Sequence, residues 1–499
     1  MTKPAHRPPA ASPASPEAKK VYPRKWMILL AISISLFLGS VDGSIVNVSL
    51  PTLVQELNTD FPTVQWVVLA YLLGLTVLML SMGRLADIRG KQRIFGWGLV
   101  LFLLGSALCG LAPGVYWLIG FRFVQSVGAS MMLALGVAIV TETWPDRERG
   151  KAIGITGGVI SLGIVAGPAV GGLILQNLSW RWIFFVNLPI GAVALVMVLL
   201  YVPPLPPKNR SEPFDLLGAG ILGLGLFSFA LALTVGQKLG FTAPLILALF
   251  ALAGLTIPTF VWQERRVAYP MVDLALFGDP HFSLNLFNAV LSFMAIAAVV
   301  FLLPFYLTLV LKLDPSHVGL LMAVSPVVLG LLSPLSGVLA DRYGTRLISA
   351  VGLAFTMLGY LALTLLTTQS SSVAFVFLLL PLGIGMATFQ SPNNSAVMGT
   401  VPRHRLGVAS GTLSMSRTLG QVMGISILGA FFASRLAHRA GGLVDVSQAD
   451  PSVIVLAMRD QFTLAAGLIG LGLALFLGQW WKEHRRKDTA APKSWRKLS

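Results

Sequence analysis

The chain has 499 residues, of which 55% are hydrophobic and only 11% charged, with a formal net charge of +16. Soluble domains carry roughly a quarter charged residues, so this composition excludes an ordinary soluble fold. The excess of Lys and Arg does not imply a nucleic-acid partner, because it sits in short clusters between apolar runs and not on one face.

In chain order, residues 1–25 form a basic Pro/Ala/Ser-rich tail expected to be disordered. No A-x-A-like cleavage pattern follows the first apolar run, which reads as a retained helix and not a signal peptide. Fourteen runs follow, beginning near Trp26, Val64, Ile94, Tyr116, Ala152, Trp182, Phe214, Ala243, Phe282, His317, Leu347, Val373, Leu406 and Gln461. Each is long enough to cross a bilayer core of roughly 30 Å, and backbone pairing at that depth demands a helix. A second basic tail spans residues 482–499.

The charges orient these spans. With the N-terminus cytoplasmic, about 28 Lys/Arg fall on the cytoplasmic side and about six outside, which is the positive-inside bias. Both tails are then cytoplasmic, as an even span count requires. Residues Ala433 to Asp460 read as the longest polar outer loop, open to an unidentified outer partner or to simply covering the outer mouth. The lone Cys109 allows no intramolecular disulfide.

A repeat divides the chain. GRLADIRGKQR runs from Gly83 to Arg93 after the second span, and GVLADRYGTRL from Gly337 to Leu347 after the tenth. Both read G-x-L-A-D-x-x-G followed by basic residues. The expected plan is therefore a six-helix bundle (26–202), an inserted pair with linkers (203–265) and a second six-helix bundle (266–481). Two similar halves with a site between them form a recurring plan of membrane transporters. The inserted pair, almost without polar residues at depth, is given no transport role. Asp87 or Asp341 can hold a helix N-terminus or an arginine, and Gly90 or Gly344 permits a tight turn. These residues, with Gly83, Arg89, Arg93, Gly337, Arg342 and Gly344, read as a gate that latches the halves on the cytoplasmic side.

The motifs now add up to a resemblance. VDGSIVNVSLP (Val41 to Pro51), GRLADIRGKQR, FRFVQSVGAS (Phe121 to Ser130) and GIVAGPAVGG (Gly163 to Gly172) resemble the major facilitator superfamily. WRWIFFVNLPIG (Trp180 to Gly191) and GVASGTLSMSRTLGQVMG (Gly407 to Gly424) strengthen the likeness to its fourteen-helix drug/proton antiporters. The third motif has Ser126 where that group usually has glycine. The resemblance implies an all-α polytopic fold in the cell membrane, proton-driven export of amphipathic compounds and no cofactor.

Asp42 lies about 24 Å into the first span at 1.5 Å per residue. An acid at that depth is a functional hypothesis by default. Arg122, on the fourth helix at similar depth, is its matching base. Burial favours a protonated carboxyl and a guanidinium favours an ionised one, so a movement that alters either loads or releases a proton. A structural ion pair is the alternative. Gly163, Gly167 and Gly171 make a smooth face, bent at Pro168, expected to seal or slide against the other half.

Trp66, Tyr71, Phe301, Phe305 and Tyr306, with the amides Gln125, Gln390, Asn393 and Asn394, are the expected pocket lining. They suit an apolar or cationic ligand, although aromatics in membrane helices also serve lipid contact and packing. Arg417 is a further costly charge, open to a structural role. The six histidines lie in tails, loops or span ends, and no H-E-x-x-H, P-loop or serine elbow is present. Metal, ATP and a membrane enzyme are therefore not expected. Export of a lipid, siderophore or endogenous metabolite remains an alternative, as does a non-transporting receptor.

Overall fold

The computed structural model describes residues 24–145, 148–205, 215–267, 270, 274–401, 406–442 and 444–490. The expected disordered tail before residue 24 and the tail beyond 490 lie outside the described residues. So do the side chains of Asp87 and of residues 483–490.

Among the described residues, fourteen helices are long and apolar enough to cross a membrane. The first six are α1 (Lys25–Glu56), α2 (Phe61–Arg89), α3 (Lys91–Gly110), α4 (Val115–Thr143), α5 (Arg149–Asn177) and α6 (Trp182–Tyr201). The inserted pair is α7 (Leu216–Leu239) and α8 (Pro244–Arg266). The last six begin with α9 (Pro280–Val310), α10 (Pro315–Tyr343), α11 (Thr345–Leu363) and α12 (Ser372–Gly399). Next, α13 runs through Leu406–Met423, a π-helical turn at Gly424–Leu428 and Gly429–Ala440, and α14 is Pro451–Ala490. No strand occurs among the described residues.

Local chemistry sets the helix starts. Asp60 accepts the Thr63 amide at 2.9 Å, Asp279 that of His281 at 2.8 Å and Ser371 that of Ala374 at 3.2 Å. Each satisfies a donor that a helix N-terminus leaves orphaned. Pro304 lacks a donor, and just beyond it α9 widens into a π turn at Tyr306–Val310, closed by Leu311 N–H to the Tyr306 carbonyl at 3.1 Å.

The last span starts ten residues before the expected Gln461. What read as a polar outer loop from Ala433 is mostly two helix ends. Gly441, at φ 77, caps α13 in the left-handed region that glycine tolerates. Asp450 accepts the Ser452 amide at 2.7 Å to start α14. Its carboxyl is held below its ordinary range, chiefly by the Ser452 hydroxyl. Arg435 and Arg439 both bond Asp460, at 2.7 and 2.8 Å. The charges taken for a loop therefore staple α13 to α14.

The two halves repeat one packing scheme. In the first, α1 packs on α5, α2 on α4 and α3 on α4 and α6; in the second, α9 packs on α13, α10 on α12 and α11 on α12 and α14. The repeated loops match in backbone too: Gly90 has φ 96 and Gly344 φ 90. Only glycine takes that conformation without strain. Between the halves, α5 meets α10 and α2 meets α13. The inserted pair packs through α7 on α2: Trp66 donates to the Thr234 hydroxyl at 3.0 Å, and Lys238 pairs with Asp60 at 2.5 Å.

The glycine motif of α5 differs from expectation. Cβ atoms on Gly163 and Gly171 would come to 2.8 Å from Phe37 O and Ile45 Cγ1, and one on Gly167 would overlap Ser44. That face is spent on α1, inside the same half. The face one residue along meets the other half. A Cβ on Gly172 would overlap the Pro315 carbonyl, and one on Gly319 the Pro168 carbonyl. This seam lies near the face opposite the termini, called here the distal face. Phe61 of α2 seals the same side, with its ring 5.2 and 5.3 Å from Phe301 and Phe305 of α9 and 5.5 Å from Phe432 of α13. Nearer the termini face, Gly154, Gly157 and Gly158 of α5 and Gly330 of α10 have open space beside them.

Gly319→Leu is expected to destabilise the closed seam by about 1–3 kcal/mol through overpacking. Spin-label distances between the distal ends of α5 and α10 check this; an unchanged distribution refutes it.

Candidate functional site

The site is a buried polar cluster inside the first half. Arg122 and Gln125 lie three residues apart on α4 and so share one face. Arg122 Nη1 donates to Asp42 Oδ2 of α1 at 2.7 Å. Gln125 Nε2 and Asn187 Nδ2 of α6 each donate to Asp42 Oδ1 at 2.8 Å. Arg122 also donates to Gln125 Oε1 at 2.6 Å and, through Nε, to the Val67 carbonyl of α2 at 3.1 Å. Ser106 of α3 receives the second Gln125 proton at 2.8 Å. Below the guanidinium lies the Tyr71 ring, 4.1 Å from Cζ to centroid.

Five helices thus meet in the cluster, and α4 and α6 donate to the carboxylate of α1. Asp42 is fully buried and Arg122 is 1% exposed. At such depth neither ion is stable alone; removing one partner of a buried pair costs about 3–5 kcal/mol. Three donors satisfy the carboxylate, while the Asn187 Oδ1 atom is buried and has no hydrogen-bond partner. An acceptor without a donor sits beside a group that can gain a proton.

The sequence brought Asp42 and Arg122 to similar depth, and the structure joins them. Gln125 and Tyr71, expected to line a pocket, belong to this cluster instead. Asn187 and Ser106 were missed. Asn187 is an amide inside an apolar run, and that exception to hydrophobicity is the signal that marks it. Ser106 carried no signal, because serines are common in membrane helices.

The remaining pocket expectations divide. Trp66 faces the inserted pair, with its ring 5.5 Å from that of Phe227. Phe301 and Phe305 are 1% exposed in the distal aromatic seal. Tyr306 donates to the Thr367 carbonyl at 2.6 Å and stacks on Phe375. These four side chains are engaged in packing, so the expected aromatic lining for a cation is absent from them. The amides fare differently: Gln390 and Asn394 are half-buried, Asn393 is buried, and Asn394 Oδ1 accepts from Arg417 at 2.6 Å. None of these residues lines the cavity of about 350 Å³ bounded by His281, Arg346, Ser395 and Gln479 at the termini end of the second half.

Of the expected gate residues, Arg89, Arg93, Asp341, Arg342 and Gly344 are exposed, Gly83 and Gly337 half-buried and Gly90 buried. Lys91 of the first loop pairs with Glu142 at 2.6 Å, and Arg346 of the second lies 3.3 Å from the His281 ring. Both contacts stay within their own half.

Twelve apolar helices in two matched halves, with an inserted pair between them and an acid–base cluster walled off in the first half, define a polytopic membrane transporter. A family profile described as Major Facilitator Superfamily matches residues 32–425 and 286–497, and the chain belongs to that family. It is 32% identical over 458 residues to the riboflavin transporter RibZ of Clostridioides difficile, covering 91% of this chain and 97% of that one. It is 35% identical over 412 residues to the multidrug resistance protein Stp of Mycobacterium tuberculosis, covering 82% and 76%. A bacterial homologue of the human lysosomal transporter Spinster, solved inward-facing and unoccupied, shares the fold. Its TM-score is 0.66 at 16% identity, over 91% of this chain and 96% of that one.

Arg122→Ala is expected to lower stability by about 3–5 kcal/mol, because Asp42 stays buried without its cation. The double variant Asp42→Asn/Arg122→Gln should lose less than the sum of the single changes. Unfolding in detergent measures both, and additive losses contradict the coupling.

Proposed function

We propose that this protein is a proton-coupled exporter that moves amphipathic compounds out of the cytoplasm by alternating access, with Asp42 as the proton-carrying group. The observation that carries this reading is the Asp42 carboxylate, buried among three side-chain donors on two helices. Arginine stays charged, so the carboxyl is the member of the pair that takes the proton. Protonation turns one carboxylate oxygen from acceptor to donor. It removes the attraction for Arg122 and creates an O–H that needs an acceptor. The unpartnered Asn187 Oδ1 supplies one once its amide rotates.

That change reaches the seam through packing. Asp42 lies on α1, α1 lies on the Gly163–Gly167–Gly171 face of α5, and the neighbouring face of α5 holds α10. The basic clusters support cytoplasmic termini in a cell membrane. With that orientation, a closed distal seam and open space nearer the termini correspond to an inward-open form. The exposed helix-end residues Arg89, Arg93, Asp341 and Arg342 are then an unlatched cytoplasmic gate, and Asp87 lies in the last turn of α2 beside them.

The multidrug resistance relative supports foreign amphipathic substrates. The riboflavin transporter relative supports a second reading, movement of an endogenous metabolite by the same machinery. Paired flux measurements with drugs and with riboflavin separate the two.

Asp42→Asn is expected to abolish pH-gradient-driven flux in proteoliposomes while the purified protein stays folded by gel filtration and circular dichroism. Normal gradient-driven flux in that variant overturns the assignment.

A further inference from the structure

The second half holds its own buried charge, and nothing in the proton cluster uses it. Arg417 lies eleven residues into α13, ~16 Å along the helix at 1.5 Å per residue. Its Nη2 donates to Asn394 Oδ1 at 2.6 Å, and its Cζ lies 5.5 Å from the Phe293 ring centroid of α9. Among the described residues no carboxylate is bonded to it. Its Nε is buried without an acceptor, and so is Asn393 Oδ1 without a donor, one residue before Asn394. Arg122 presents the contrast: its guanidinium bonds a carboxylate, an amide and a carbonyl.

An uncompensated charge at this depth is costly, and a purely structural arginine would be expected to spend its donors. This one is held in place by an amide and an aromatic face, with its Nε–H buried and without an acceptor. A guanidinium edge of that kind matches a carboxylate, with charge-assisted hydrogen bonds. Its helix, α13, is also the one that meets α2 of the first half. Arg417, Gln390, Asn394 and Phe293 are all half-buried, so the cluster has an open side.

We infer that Arg417 is a substrate-recognition residue and that the transported compounds include amphipathic organic anions. Their carboxylate lies on this guanidinium edge, and a neighbouring hydroxyl or amide N–H donates to Asn393. The inference rests on the transporter reading and replaces the cationic preference suggested by the aromatic residues. Asn394 positions the guanidinium, and Phe293 offers the apolar part a platform.

The test is equilibrium binding to the full chain in nanodiscs, corrected against empty discs, with 3-hydroxy-2-naphthoate and its methyl ester as probes. The acid should bind about tenfold or more tighter than the ester, as expected for a charge-assisted contact. Arg417→Gln should bring the two affinities together while leaving that of the ester within about twofold. Arg417→Lys, which keeps the charge and loses the fork, should keep a reduced preference for the acid and serves as the test if the glutamine variant does not fold. Equal binding of acid and ester to the unaltered protein overturns the inference, as does an acid preference undiminished in either variant. Asp42→Asn should keep the acid preference while losing gradient-driven flux, so failure of proton coupling and failure of anion recognition are read separately.

Discussion

A charge cannot stay unpaired in the interior of a membrane protein without a large penalty, and that constraint organises the first half. Asp42 and Arg122 each make the other tolerable. Their remaining hydrogen-bonding capacity then draws in Gln125, Ser106, Asn187 and the Val67 carbonyl. The pair therefore ties together α1, α2, α3, α4 and α6, which apolar contact alone would hold in many similar registers. The fifth helix is excluded from the network; its glycines pack on Phe37, Ser44 and Ile45 of α1, and its neighbouring face packs on α10 of the other half.

How much of this was legible in the sequence depended on the kind of signal. Span number and order followed from hydropathy, because length and apolarity are linear properties of the chain. The repeat was legible because glycine at Gly90 and Gly344 answers a local backbone demand. Asp42 and Arg122 stood out as charges where charge is expensive. Direction around a helix was not legible: one residue separates the face of α5 that meets α1 from the face that meets α10. Trp66 and Phe301 were misplaced for the same reason, since an aromatic ring serves packing or binding equally well. The distal end of α13 looked like a loop because its charges are neutralised by Asp460, which lies about twenty residues further on.

The two halves share a scaffold but divide the chemistry. In the first, acid and base neutralise each other, so the cluster is closed on itself; in the proposed mechanism only a proton changes its state. In the second, the base has an amide for a neighbour and its Nε–H has no acceptor. The halves meet where α5 packs on α10 and α2 on α13.

The seam at Gly172 and Gly319 has a thermodynamic consequence. It is built from carbonyls and α-carbons meeting directly, with little side-chain surface between them. Parting it uncovers little apolar area, and apolar area is what produces a heat-capacity change. The heat-capacity change of opening the distal side should therefore come chiefly from the aromatic seal of Phe61 with Phe301, Phe305 and Phe432, and little from the glycine contact beside it.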